Sequence, residues 1–338
     1  MAGKRKDPAD RWMPLRVYRG KSAFEFRTKE NKAIRLCGLG ETQAAVWIAY
    51  EKAIGDEIER KTFQKLAEQF MTSPDFMDLA QETRKDYTKY SGKVFPVFGK
   101  MHPDKIKPEH IRRYMDERGL SSRTQANREK SFLSRVFRWG YERGYVQGNP
   151  CQGVKQFKEV SRERYITDEE YRAVYDVAPD IVRAVMEIAY LCAARQADVL
   201  SMKEDQLREA GIFIRQGKTG VKQIKAWSPR LRAALALARS LPLKPGISSL
   251  FVIHQPGGSK YTRDGFNTRW RDAKIAAQEK YPHLQIDFTF HDLKAKGISD
   301  LEGSLEEKQE ISGHKNSRQT AIYDRKVKVV PVVGGQKK

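Results

Sequence analysis

Tyr323 stands nine residues after His314 in the stretch ISGHKNSRQTAIYDR. Upstream, in chain order, come Arg195 in AARQADVLSM, Lys218 in RQGKTGVK, and His291 with Lys294 in TFHDLKAKG. These residue types suit one demanding reaction, cleavage of a phosphodiester without a metal. A hydroxyl nucleophile attacks phosphorus. Cationic donors neutralise the non-bridging oxygens in the transition state. A general acid protonates the leaving 5′ oxygen. Taken singly, each residue also has a plain structural explanation. Arg195 could pair with Asp198, three residues on. Lys218 could be an ordinary exposed turn lysine, and Tyr323 an ordinary half-buried helix tyrosine.

The elements that would position these groups can be read from periodicity and caps. Apolar DIVRAVMEIAYLC is a helix that delivers Arg195 at its end. GIFIRQGKTGVKQIKAW reads as two strands, with Lys218 at the tip of the turn Gly217-Lys218-Thr219-Gly220. His291 and Lys294, at i and i+3, share one face of a helix start, where backbone N–H groups also favour anions. Ser304 and Glu307 fit a capping box, and Gly313 ends the helix they begin. His314 then falls in a short loop, and Ser317 is expected to cap the helix carrying Tyr323. Further helices are expected at about 229–240, 264–280, 291–301, 304–312 and 317–324.

The preceding half has no such set. Residues 14–36 read as short strands, with Phe24 and Phe26 alternating with polar residues, the turn TKENK, and the run AIRL. A helix at about 41–58 follows, with Ala45, Ile48, Ala49, Ala53 and Ile58 as its apolar positions. This small module could bind DNA or be a structural appendage. Residues 60–148 read as four helices, with Thr62 capping the first and Gly119 stopping the third. In the longest, Phe132, Leu133, Val136, Phe137 and Gly140 share one face, and Arg128, Arg135 and Arg138 another. That arginine face is either a solvated surface or a track for a nucleic-acid backbone; with Arg123 it is the expected DNA contact. The stretch GVKQFKEVSRER reads as an exposed linker, so a boundary is expected near residue 160. The tail from Lys326 alternates lysine with valine and could add a strand to a sheet edge.

Composition narrows the partner. The 338-residue chain carries a net charge of +21, with 39% hydrophobic residues. That excess attracts polyanions at long range, and nucleic acid is the default partner because binding releases counterions. No window approaches the run of about 20 apolar residues that spans a membrane. The basic start MAGKRKDPADR has no apolar stretch behind it and does not read as a secretory signal. Three scattered cysteines, Cys37, Cys151 and Cys192, suit a reducing cytoplasm and suggest neither disulfides nor a metal site.

Arg195 with Asp198, Lys218 in a β-turn, H-x-x-K at His291–Lys294, and G-H followed by Tyr323 together resemble the tyrosine recombinase (phage integrase) family, over residues from about 60 to 330. The resemblance implies a mainly α fold with small β elements. It has three parts: an arm-type DNA-binding module at 1–58, a helical core-site domain at 59–152, and a mixed α/β catalytic domain at 163–338. It implies that Tyr323 forms a 3′-phosphotyrosine link. Arg195, His291, Lys294 and His314 would hold the phosphate, Lys218 would be the general acid, and Asp198 would buttress Arg195. The family's usual residue at position 294 is arginine, whose planar fork grips two oxygens where lysine is a point charge. No cofactor or metal is implied. The implied partners are double-stranded DNA at attachment sites, further copies forming a tetramer on DNA, a host DNA-bending protein and an excision factor. The implied setting is the nucleoid of a bacterial host, during prophage or genomic-island integration. Two other readings share the DNA partner: a non-catalytic architectural or regulatory factor, and a type IB topoisomerase.

Overall fold

The computed structural model describes residues 7–28, 31–60, 62–327, 329–330 and 332–333, and for 55–60 the backbone alone. The chain divides into two compact units after Val160. Among the described residues no helix is long and apolar enough to cross a membrane.

The first unit holds two separate apolar cores. One lies under an antiparallel sheet of β1 (Val17–Arg19), β2 (Ala23–Arg27) and β3 (Ala33–Gly38). β1 is a strand additional to the runs anticipated from sequence. Phe24 and Phe26 point inward, two residues apart, as the pleat requires. Helix α1 (Gln43–Arg60) covers them with Val46 and Ala53. Ile48, expected on that face, is 69% exposed. The helix turns Val46 to the sheet instead, and Ala53, seven residues on, follows two turns later. Ile58 lies outside the residues whose side chains are described.

The other core belongs to α2 (Phe63–Met71), the one-turn α3 (Pro74–Met77), α4 (Gln81–Phe98), α5 (Pro108–Ser121) and α6 (Arg123–Glu142). Thr62 caps α2 through a bond to the Lys65 N–H, and such a cap contributes about 1 kcal/mol. Gly119, expected to end α5, lies inside it. A Cβ there would stand 2.6 Å from the Phe157 ring, so this glycine serves close packing rather than termination. α6 buries Phe132, Leu133, Val136, Phe137 and Gly140 on one face, the stripe that the spacing predicts.

The second unit is built round α8 (Asp180–Leu191), which follows α7 (Asp168–Val177). Ile181, Val182, Val185, Met186 and Ile188 of α8 are all buried, each worth about 1.5–3 kcal/mol relative to exposure. Next come α9 (Gln196–Leu200), the strands β4 (Leu207–Arg208), β5 (Gly211–Arg215) and β6 (Lys222–Ala226), and α10 (Pro229–Arg239). The unit closes with α11 (Arg263–Lys280), α12 (Phe290–Asp300), α13 (Leu305–Ser312) and α14 (Ser317–Tyr323). Of the tail, the described residues from Val327 to Val333 are in no strand, and their valine side chains are exposed.

Candidate active site

Arg195 emerges where α8 ends. Cys192, Ala193 and Ala194 are buried, Ala193 takes a positive φ of 47°, and Arg195 then caps α9. Its guanidinium does not turn to Asp198. It donates to Gln216 Oε1 at 2.6 Å, while Asp198 Oδ1 accepts the Gly217 N–H at 2.9 Å. Asp198 therefore holds the start of the β5–β6 turn rather than the guanidinium. Among the described residues no carboxylate lies within ion-pair distance of Arg195. A half-buried guanidinium in that state is primed for an anion. Lys218 sits exposed at the tip of the same turn.

Thr289 and Asp292 form the capping box that starts α12 and sets the orientation of His291. Its Nε2 lies 2.7 Å from the Tyr323 hydroxyl, across 32 residues of chain. Tyr323 comes from the last turn of α14, which Asn316 caps by accepting the Arg318 N–H at 2.8 Å. Ser317, expected in that role, is the first helical residue, because the extended conformation falls at Asn316.

His314 completes the group. Its ring centroid is 4.7 Å from that of Tyr323, and the residue is 4% exposed. Nδ1 pairs with the Thr320 hydroxyl at 3.2 Å, and Nε2 is buried without a partner. The loop before it depends on Gly313, which takes a φ of 62°. A Cβ at Gly313 would stand 2.2 Å from Gln216 Nε2, so both the handedness and the space require glycine.

The electrostatics follow from burial and from the cations. Desolvation, with the charges of Lys294, Arg195 and Arg325, pushes His291 below its ordinary value against the pull of Asp292. Desolvation, with Lys294, Arg195 and His291, pushes His314 down to about 4. Both imidazoles are thus neutral at pH 7, each with one ring nitrogen that donates and one that accepts. Burial raises the Tyr323 phenol, with Arg195 and Arg325 pulling it back.

Lys294 is 1% exposed, and its amine donates to the Ser312 carbonyl at 2.9 Å. Lys296 points away from the site, to Asp168 at 2.6 Å and Asp300 at 3.0 Å. The segment after Tyr323 is also anchored. Ser299 donates to the Tyr323 carbonyl at 2.9 Å and accepts the Arg325 N–H at 2.7 Å. Lys308 pairs with Asp324 at 2.8 Å, and Arg325 with the buried Asp292 at 2.6 Å. Beside the site a cleft of about 510 Å³ opens between Arg195, His291 and the α11 residues Asn267, Arg271 and Lys274. Of Arg128 and Arg138 in the first unit, each has a carboxylate neighbour, Glu159 at 3.5 Å and Glu142 at 3.1 Å. Arg123 lies over the Phe157 ring at 5.8 Å.

Sequence reasoning missed Gln216, Lys225, Ser299 and Arg325. Their partners lie far along the chain, so no local spacing announces them. Arg325 alone had a cue, being a charged residue two positions after Tyr323.

A half-buried arginine, two neutral histidines and a tyrosine hydroxyl therefore meet within one unit. Residues 164–328 match the model of the phage integrase family, and residues 63–156 that of the phage integrase central domain. The chain belongs to the phage integrase family, the tyrosine recombinases. The integrase of Enterobacteria phage 434 is 25% identical over 222 residues, covering 62% of this chain and 60% of that protein. That of Escherichia phage HK022 is 28% identical over 205 residues, covering 57% and 56%. The matched region thus spans less than two thirds of these relatives' length. Tyrosine recombinase XerC of Thermodesulfovibrio yellowstonii is 27% identical over 248 residues, covering 67% of this chain and 80% of that protein. Among solved structures, a lambda integrase dimer bound to a COC′ core site superposes with a TM-score of 0.67 at 18% identity, covering 98% of this chain and 100% of the other. A lambda integrase tetramer bound to a Holliday junction gives 0.65 at 17%, covering 90% and 97%. The fold is that of these proteins, mostly helical with small sheets.

Proposed function

We propose that this chain is a site-specific DNA recombinase that cleaves and rejoins strands through a 3′-phosphotyrosine intermediate. The observation that carries this reading is the Tyr323 hydroxyl held 2.7 Å from a neutral His291 in a site containing Arg195. His291 is placed to take the phenolic proton as Tyr323 attacks phosphorus. The 5′ oxygen leaves with a proton from Lys218, exposed at the tip of the β5–β6 turn. Arg195 and His314 face the non-bridging oxygens, with Lys294 behind them. Asp198 supports the site through the turn. The phosphotyrosine bond retains the energy for religation, so the strand is resealed when a 5′ hydroxyl attacks and Tyr323 leaves.

In this reading the substrate is duplex DNA at attachment sites, and four copies assemble on it. Residues 59–152 and 163–338 hold the core site, with Arg123, Arg128, Arg135 and Arg138 along the backbone, and 1–58 holds a separate arm site. The setting is prophage or genomic-island integration in the cytoplasm of a bacterial host, with a DNA-bending protein and an excision factor as further partners. The relatives' descriptions support the DNA partner and the assembly.

The test is a nicked suicide duplex carrying the mapped site, in EDTA. Wild type is expected to form a covalent protein–DNA adduct and Tyr323→Phe none. If both give the same result on a site that the protein demonstrably binds, the chain is a DNA-binding factor and not a recombinase.

A further inference from the structure

Four side chains from outside α13 converge on the three carbonyls that end it. Gln223 Nε2 donates to the Glu310 carbonyl and Lys225 Nζ to that of Ile311. Gln216 Nε2 and Lys294 Nζ both donate to the Ser312 carbonyl, each at 2.9 Å. The last carbonyls of a helix lack partners within it and carry the negative end of its dipole. α13 has no basic residue of its own in that turn. The two lysines supply N–H donors from β6 and α12, though burial pulls both below the ordinary lysine range, Lys225 to about 8 and Lys294 to about 7.

Both are deeply placed, Lys225 at 9% exposure and Lys294 at 1%. Among the described residues neither has a carboxylate within ion-pair distance. Burying two amines without a carboxylate partner costs free energy that good carbonyl contacts offset only in part. Such an arrangement is expected where the turn it holds must be exact. What lies beyond the turn is the site. The Ser312 hydroxyl accepts the His314 N–H at 3.1 Å, and the His314 ring lies tilted against that of Tyr323. Gln216 ties the same carbonyl to Arg195 at 2.6 Å. One short path therefore runs from the lysines through the end of α13 to His314, Tyr323 and Arg195.

We propose that Lys225 and Lys294 are positioning residues, which clamp the end of α13 so that His314 and Tyr323 meet Arg195 and His291, and that neither grips the phosphate. The functional part of this rests on the recombinase reading. It gives Lys294 a role different from that of the arginine fork usual at its position.

The test has two arms, both on the full chain. In the first, hydrogen exchange of the amides at 309–323 is compared in wild type, Lys225→Met and Lys294→Met. Exchange is expected to rise by about 10-fold or more in each variant, with α8 unchanged, because local opening becomes easier. Unchanged exchange at 309–323 overturns the proposal. In the second, single-turnover cleavage is measured on the suicide duplex and on the same duplex with an uncharged methylphosphonate at the scissile position. A small misplacement of reacting groups costs on the order of 10²-fold, so both Met variants are expected to lose about that much on both substrates with DNA binding unchanged. A cation that neutralises phosphate is dispensable on the methylphosphonate, so recovery there overturns the proposal. Lys294→Gln keeps an N–H donor without the charge and is expected to lose less than Lys294→Met on both substrates. A loss as deep as that of the Met variant overturns the clamp, and this variant serves if the Met variant does not fold. If wild type forms no adduct at all, the recombinase reading falls, and the exchange arm still decides the role of the lysines.

Discussion

His314 is held neutral in the site at the expense of acid stability. Its imidazole is enclosed, its Nε2 has no partner, and burial with the nearby cations holds its value at about 4. An unfolded histidine titrates near 6.5. Between those values the unfolded chain binds more protons than the folded one, so stability rises with pH there. The neutral ring's contribution is complete above about pH 6.5 and is lost as the pH falls toward 4. Wild type should therefore lose about 2 kcal/mol more than His314→Asn between pH 7 and 4.5, measured by urea unfolding. Equal losses would mean that His314 titrates normally and is not held neutral by its enclosure. At this scale the sequence was informative because His314 and Tyr323 lie in one short stretch. The 2.7 Å contact of Tyr323 with His291 was not, since it closes over 32 residues.

At the scale of elements, α14 is too short to hold its own orientation, and the anchors lie beyond its end. Ser299, Lys308 and Asp292 on α12 and α13 take hold of residues 323, 324 and 325 in turn. Of these, the Asp292–Arg325 pair is the most deeply buried, at 1% and 8% exposure. It also braces the helix start that orients His291. Breaking such a pair by removing one partner costs about 3–5 kcal/mol, because the other charge is left buried. Asp292 keeps its bonds from the Thr289 N–H and hydroxyl, both at 2.8 Å, so Arg325→Ala should fall at the low end. Its cleavage rate should drop more than its DNA affinity, and Arg325→Lys should recover part of the rate. A variant that is destabilised but cleaves at the wild-type rate would reduce the pair to a purely structural role. Neither this pair nor the clamp on α13 was legible beforehand, for a physical reason. In KQIKA, parity alone does not say which face is buried, and hydropathy favours Ile224. The register sets Lys225 opposite Ile212, on the core side, and leaves Ile224 48% exposed. Side chains that serve a distant carbonyl break the very pattern by which strands are read.

For the molecule as a whole, under the recombinase reading, the charge of +21 would set the strength of DNA binding before any base is read. Not every arginine contributes equally. On DNA, Arg128 and Arg138 would have to exchange Glu159 and Glu142 for a phosphate, and an exposed pair of that kind is worth about 0–1 kcal/mol. Arg135, midway along the same helix, lies beside Tyr87, with no carboxylate in ion-pair range among the described residues. It can meet a phosphate with no such exchange. Removing a cation that neutralises one phosphate should lower the slope of log affinity against log salt by about 1. Arg135→Ala should do so on every duplex alike, specific or not, while Arg138→Ala should change the slope less, because Glu142 is freed as the arginine goes. The measurement is a salt titration of binding to two unrelated duplexes. An Arg135 variant that weakens only one of them would make this arginine a reader of bases. A variant with an unaltered slope on both would place the face away from DNA, and the basic excess would then act through other surfaces. The hydrophobic stripe of α6 was plain in the sequence because it obeys the helical period. Whether the opposite stripe is available to a polyanion depends on glutamates brought in from residues 142 and 159, and the period of α6 carries no information about Glu159, which lies outside the helix.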